Sequence, residues 1–425
     1  MLLLTNAYLM NPATKQEGIC DILIDEDRIV RIAPNLKEAV REEDKVEILD
    51  AAGLIAAPGL VDVHSHFRDP GFTHKEDILS GAKAAARGGY TTVVLMANTK
   101  PAVDNEETLA YVLQKGKETG IRVETCATVT VGMKGQTLVD MESLLQKGAV
   151  GFTDDGVPIL DEELVRRAMQ NAESLGVPIS FHEENPAFIE NNGVHAGKAA
   201  AYFGIGGSKR EAEIDLVKRD LEIALQTGAC IDIQHISTKE AVELVRQAKK
   251  RGDNIHAEAT PHHFTLTEEA CIQYGTLAKM NPPLREEADR QAVIEGLKDG
   301  TIDLIATDHA PHSKEEKEKP ITEAPSGIIG LETALSLGIT ELVEKNEMTL
   351  MSLLEKMTVN PARMYHLDAG YLAEDGPADL VLFDRNAVWK VQEYASKSAN
   401  SPFTGWELKG KVKYTICAGK IVYRA

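Results

Sequence analysis

Leu60-Val61-Asp62-Val63-His64-Ser65-His66 decides how the chain is read, because a short apolar run ends abruptly in imidazole-bearing residues. Leu60 to Val63 has the length and β-branched content of a buried strand. Similar runs recur at Thr91 to Met96, Val123 to Val129, Ala149 to Thr153, Pro178 to Phe181, Cys230 to Gln234, Ile255 to Ala259 and Asp303 to Ala306. Amphipathic stretches lie between them, such as Glu76 to Arg87, Asp161 to Leu175 and Lys239 to Lys250, the last opened by a capping-box pattern, Ser237-Thr238-Lys239-Glu240. Eight strands in βα order predict an α/β protein built on a closed (β/α)8 TIM barrel. An open doubly wound sheet would carry a G-x-G-x-x-G turn after an early strand, and none stands there.

Working outward, both ends of the chain change character. Leu2 to Tyr8, Ile19 to Ile24, Arg28 to Ile32 and Val46 to Leu49 are short strand-like runs without helices between them. Asp379 to Phe383 and Lys411 to Tyr423 repeat the pattern, the latter broken by a hairpin turn at Ala418-Gly419-Lys420. The two ends predict one small β-sandwich domain, residues 1–55 with 368–425, around a catalytic barrel of residues 56–367. A chain of 425 residues suits a barrel of roughly 250 residues with a smaller appended domain.

Composition narrows the function. With 43% hydrophobic and 26% charged residues the chain has ordinary globular material for a large core. A net charge of -20 speaks against binding nucleic acid or anionic membrane, so an anionic substrate needs locally placed cations. Cys20, Cys126, Cys230, Cys271 and Cys417 are scattered and odd in number, with no C-x-x-C pair, which suits a reducing cytosol. Met1-Leu2-Leu3-Leu4 lacks the basic start of an export signal, and no uncharged apolar stretch reaches the ~18 residues of a membrane span. A cytoplasmic enzyme is expected.

The residues just past each strand carry the chemistry, because catalytic groups on such barrels come from the C-terminal strand ends. Strand one ends in His64 and His66, strand four in Asp154-Asp155, strand five in His182, strand six in His235 and strand eight in Asp308. Residues two apart on a strand share a face, so His64 and His66 aim at one point. Imidazole and carboxylate are the ligands a catalytic zinc accepts, and His182 with His235 offers a second grip. A lone strand histidine is more often a hydrogen-bonded core residue; six ligand-type residues at five strand ends are not explained that way. His195, His256 and His366 keep the structural reading, and Asp154 reads as a supporting group. Two divalent ions lower the pKa of a shared water, and Asp308 is placed to accept its proton and pass it to a leaving amide nitrogen. No G-x-S-x-G elbow is present.

Asp62-Val63-His64-Ser65-His66-Phe67-Arg68-Asp69-Pro70-Gly71 and Ala306-Thr307-Asp308-His309-Ala310-Pro311-His312 resemble signatures of the dihydroorotase family within the amidohydrolase superfamily. Lys279-Met280-Asn281-Pro282-Pro283-Leu284-Arg285 and Gly330-Leu331-Glu332-Thr333 look like its class I bacterial form. The resemblance implies reversible hydrolysis of L-dihydroorotate to N-carbamoyl-L-aspartate in pyrimidine biosynthesis. It implies two Zn2+ per subunit, held by His64, His66, Asp155, His182, His235 and Asp308 and bridged by Asp155 and a hydroxide. It assigns Arg68 and Asn98, with help from His312, to the substrate carboxylate, and Asn281 with Ser326-Gly327 to the ring, beside His66. A homodimer is implied by the same resemblance, with association with a carbamoyltransferase left open. Phe-Arg-Asp-Pro-Gly replaces the common Phe-Arg-Glu-Pro-Gly at 67–71, and Ala97-Asn98-Thr99 the common Pro-Asn-Thr. Hydantoinase-like relatives bridge their metals with a carboxylated lysine, where this chain offers Asp155. The rivals are a dihydropyrimidinase or allantoinase acting on an uncharged ring, against which Arg68 speaks, and a non-catalytic scaffold, which would have lost ligands. Lys314 to Lys319 reads as a solvated charge run in a mobile loop over the site.

Overall fold

The computed structural model describes residues 1–39 and 46–425. The chain opens with β1 (Leu2–Asn11), β2 (Gln16–Asp25), β3 (Arg28–Ala33), β4 (Glu47–Asp50) and β5 (Ile55–Pro58). β1 to β3 form an antiparallel meander, and β4 and β5 both lie parallel to β1 along its other edge. A bulge between Leu4 and Ala7, where Asn6 sits at φ 60°, separates the stretch paired with β4 from the stretch paired with β5. Sequence reading does not anticipate β5, since Ile55-Ala56-Ala57-Pro58 has no alternation and only Gly59 divides it from the next strand.

The barrel is built from β6 (Leu60–Ser65), β7 (Tyr90–Leu95), β8 (Arg122–Thr125), β9 (Ile179–Phe181), β10 (Ile231–Ile233), β11 (Ile255–Ala259) and β12 (Leu304–Ile305). Paired neighbours run parallel throughout. Ser65 bridges to His309 just beyond β12, joining the last stave to the first. Asp62 reinforces that seam by accepting from the Thr307 amide at 2.8 Å and its hydroxyl at 2.6 Å, although burial pushes the Asp62 carboxyl up to about 6. The stave expected at Ala149 to Thr153 is narrower than the others: Phe152 alone bridges Ala127 on one side and Ile179 on the other. Pro178, just before β9, has no N–H to extend the ladder back toward Val150.

The chain ends in β13 (Leu380–Lys390), β14 (Glu407–Cys417) and β15 (Lys420–Arg424). Because β13 pairs with β5, both ends of the chain join one eight-stranded sheet, ordered β15-β14-β13-β5-β1-β2-β3 with β4 on β1. The small domain is thus one continuous sheet, with its own core of residues such as Leu4, Ile22, Ile24, Leu380 and Leu382. The hairpin expected at Ala418-Gly419-Lys420 turns on two residues, Ala418 and Gly419, at φ 47° and 72°, with Lys420 already paired to Cys417. A Cβ on Gly419 would fall 1.7 Å from the Glu26 carbonyl oxygen, so only glycine fits.

Helix starts coincide with their caps. Asp77 caps Ile78–Gly88, Asp161 caps Glu162–Leu175 and Thr238 caps Lys239–Lys249. The capping box expected from Ser237 to Glu240 does not form, because Glu240 pairs instead with Arg210 and Ser237 bonds Glu213. Among the described residues no helix is long and apolar enough to cross a membrane.

His256 takes the structural part expected of it, with Nδ1 3.4 Å from Asp303 Oδ2. Burial opposes a charged ring, but Asp303 and Cys230 beside it hold the imidazole up to about 9. A pKa raised above the ordinary ~6.5 contributes stability that is complete below that value and lost as pH rises through 9. His256→Gln should therefore cost roughly 1–3 kcal/mol at pH 6 and little near pH 10. Urea melts at both pH values check this, and equal losses at the two would contradict it.

Candidate active site

At the C-terminal mouth of the barrel the strand-end residues converge. His64 Nε2 and His66 Nε2 lie 3.5 and 3.0 Å from the same atom, Asp308 Oδ1. Asp155 stands among all four histidines: Oδ1 is 3.5 Å from His64 Nε2, 3.8 Å from His182 Nδ1 and 3.9 Å from His235 Nε2, and Oδ2 is 3.5 Å from His66 Nε2. All six residues are buried. Arg68, His235 and Asp308 sit at φ 60°, 34° and 44°, a left-handed backbone that non-glycine residues rarely adopt.

Most of these separations are too long for hydrogen bonds and short for unrelated groups. His64 Nε2 and His235 Nδ1 are buried without a hydrogen-bonding partner, which costs free energy unless something else meets them. His64, His66 and Asp308 bring ligand atoms within 4.8 Å of one another, as do His64, Asp155 and His235. Nitrogen and carboxylate donors so gathered could hold a metal ion. Burial works against the Asp155 carboxylate, but the facing histidines hold it well below the usual range. Burial likewise opposes a charged His64, yet Glu258, Asp308 and Asp155 keep it well above its ordinary value. Burial, together with His182 and His64, pushes His235 the other way.

A ring of supporting groups orients these side chains, and sequence reading missed most of it. Glu258 Oε2 lies 2.9 Å from His64 Nδ1, and Glu184 Oε2 lies 3.2 Å from His182 Nε2. Each engages one ring nitrogen and turns the other toward Asp155, where His182 Nδ1 also lies 2.9 Å from His235 Nε2. The signals were present: Glu258 is a charge inside the apolar strand Ile255–Ala259, and Glu184 lies two residues beyond His182. Asp154 has the supporting role expected of it, accepting from the amides of Val129 and Thr130 at 2.8 and 3.1 Å. Glu258→Gln should weaken metal binding ~10–100-fold, read by competition with a chromophoric chelator. Unchanged affinity would remove Glu258 from this role.

Beside the cluster opens a cavity of about 180 Å³, small against the ~300–1,000 Å³ of drug-sized sites. His66, Arg68, Asn98, Asn281, His312 and Ser326 all line it. Asn281 Oδ1 is buried there without a partner. Arg68 donates from Nε to the Pro311 carbonyl at 3.3 Å, and its Nη2 lies 3.4 Å from His312 Nε2. Asn98 is already committed, since its Oδ1 lies 3.0 Å from His66 Nδ1 while Nδ2 donates to Asp155 Oδ2 at 2.9 Å. Gly327 is not part of the lining: its amide donates to the Lys279 carbonyl, and its own carbonyl accepts from Asn400 and Lys317.

The charge run after His312 is solvated as expected at Lys314, Glu315, Glu318 and Lys319, but departs from that reading at Lys317. Lys314–Lys317 is a capped helical turn, and Lys317 is only 5% exposed. Its ammonium donates to the carbonyls of Pro325 and Gly327 at 2.9 and 3.1 Å, and Lys279 holds those of Ile321 and Ala324 at 2.7 Å each. Burial beside Lys279 brings Lys317 down to about 7. Alternating charges suggest solvent, and only the tertiary fold supplies the carbonyls that draw Lys317 inward.

Residues 55–422 match the family model described as the amidohydrolase family. The dihydroorotase of Clostridioides difficile strain 630 is 54% identical over 426 residues, covering all of both chains. The chain belongs to the dihydroorotase family. The dihydroorotases of Clostridium acetobutylicum and Lactococcus lactis subsp. lactis, 53% and 50% identical, cover all of this chain and 99% of their own lengths. Among solved structures, L-hydantoinase from Arthrobacter aurescens superposes with a TM-score of 0.89 at 24% identity, covering 100% of this chain and 96% of its own. Dihydropyrimidinase from Brevibacillus agri gives 0.85 at 22%, covering 99% and 95%. These two likenesses establish the fold, a TIM-type barrel with a terminal β domain, and the family membership rests on the full-length dihydroorotase relatives.

Proposed function

We propose that this dihydroorotase-family enzyme interconverts L-dihydroorotate and N-carbamoyl-L-aspartate at the barrel mouth. The observation that carries the reading is the Arg68–His312 pair on the wall of a small cavity whose floor is the His/Asp cluster. An acidic protein has placed a cation where one end of a small cyclic amide would lie, and a guanidinium suits a carboxylate better than it suits a neutral ring edge. The named activity of the full-length relatives agrees.

His64, His66, Asp155, His182, His235 and Asp308 are the residues that would hold two zinc ions. When bound, such ions polarise the scissile carbonyl and acidify water. The rest falls to the chain itself. Arg68 and the His312 ring take the substrate carboxylate, Asn281 and Ser326 face the ring, and Asn98 orients His66 more than it binds substrate. Asp308, within 3.0 Å of His66 Nε2, accepts a proton from the attacking water and returns it to the departing amide nitrogen, so one carboxylate serves both half-steps. In the ring-closing direction the same transfers run in reverse. The barrel as residues 56–367, less residues 56–58 that β5 gives to the terminal sheet, a homodimeric state and a cytoplasmic location complete the proposal, on the strength of the family resemblance.

Metal-loaded protein should consume L-dihydroorotate, monitored by loss of its ultraviolet absorbance, far faster than dihydrouracil, hydantoin or allantoin. Preference for an uncharged ring would overturn the assignment of Arg68. Full metal binding without turnover of any ring would favour a scaffold.

A further inference from the structure

His312 is held from both sides by cations. Lys75 Nζ lies 3.3 Å from its Nδ1 and Arg68 Nη2 lies 3.4 Å from its Nε2. Glu316 approaches Nδ1 only to 3.6 Å, beyond hydrogen-bonding range. Neither an ammonium nor a guanidinium can accept, so a neutral ring can accept from only one of the two cations; the shorter Lys75 contact makes Nδ1 the acceptor and leaves the proton on Nε2. Burial, then Arg68, Lys75 and Lys317, keep the ring neutral. His312 Nε2–H and Arg68 Nη2–H are therefore two donors facing one cavity, and donors so placed serve a common acceptor instead of each other.

Lys75 is itself fixed. Its ammonium pairs with Glu316 Oε1 at 2.8 Å and lies 5.3 Å from the centre of the Phe72 ring, and its carbonyl accepts from Ser398 Oγ at 2.7 Å. Its side chain is 13% exposed, too enclosed for an ordinary solvated lysine. None of these contacts serves the metal ligands, and proton transfer by Asp308 makes no use of them.

We propose that Lys75 is a positioning residue for substrate recognition: bonded to Nδ1, it locks His312 as the Nε2–H tautomer, so that this N–H joins Arg68 in binding the substrate carboxylate. The proposal rests on the reading of Arg68 and His312 as the carboxylate clamp. Without Lys75, His312 is free to turn an unprotonated Nε2 to the cavity, which presents a lone pair to an anion.

The test uses 15N-labelled, metal-loaded enzyme, with the His312 ring signals assigned by their loss in His312→Gln. Wild type should show a protonated Nε2 and an accepting Nδ1; Lys75→Met should shift His312 toward the other tautomer and Lys75→Arg should restore it. In kinetics, Lys75→Met should raise KM for L-dihydroorotate ~10-fold with kcat within about twofold, and Lys75→Arg should recover most of the loss. A proton on Nδ1 in wild type overturns the proposal whatever the variants do. So does Lys75→Met with an unchanged tautomer and KM. If the tautomer shifts as expected while Arg68→Gln leaves KM for L-dihydroorotate untouched, the carboxylate reading fails and the hold of Lys75 on His312 stands.

Discussion

Asp308→Asn should lose about 10³-fold or more of kcat while the protein keeps its fold, because general acid–base groups contribute ~10²–10⁴-fold and this carboxylate is asked to serve twice. Its place explains the size of the effect. Asp308 lies between Thr307 and His309, which join the last stave to the first, its Oδ1 is the atom that His64 and His66 both approach, and the side chain is 6% exposed. Asparagine keeps the shape but accepts no proton. Turnover is measured at saturating metal, with bound metal quantified in the same samples, so that weakened ligation is separated from lost proton transfer. Activity within tenfold of wild type at full metal occupancy would remove Asp308 from its role.

Arg68→Gln should carry the second largest effect, and a selective one. Removing a charge-assisted, partly enclosed hydrogen bond is worth about 3 kcal/mol, or ~100-fold in kcat/KM for L-dihydroorotate. Turnover of dihydrouracil, which has no carboxylate, should change by no more than about twofold. Equal losses on the two substrates would mean that Arg68 supports the site's architecture, for which its bond to the Pro311 carbonyl offers a route.

Much of this was legible in the chain because period and position carry it. His64 and His66, two apart at a strand end, had to share a face, and they meet at one oxygen as that spacing requires. The terminal domain could be read from alternation and from the turn at Ala418-Gly419-Lys420, where glycine takes one of the two positive φ angles that a type I′ hairpin needs. What could not be read depends on partners distant in sequence. Phe152 is a stave of one bridged residue because Pro178 blocks the ladder beside it, and nothing within residues 149–153 signals that. Asn98 looks like a free amide until the fold delivers Asp155 and His66 to its two ends. Lys317 and Lys75 look like surface charges until carbonyls and a histidine arrive from elsewhere. Long polar side chains are the residues whose roles local pattern fixes least, because their length lets them reach partners that only the tertiary structure provides.

The most direct measurement is a crystal structure of zinc-loaded protein soaked with L-dihydroorotate, with anomalous data collected at the zinc edge. Zinc peaks within the cluster of His64, His66, Asp155, His182, His235 and Asp308, with the substrate carboxylate against Arg68 and His312, are expected. A carboxylate turned away from Arg68, or anomalous density lying outside those six residues, would contradict the proposed site.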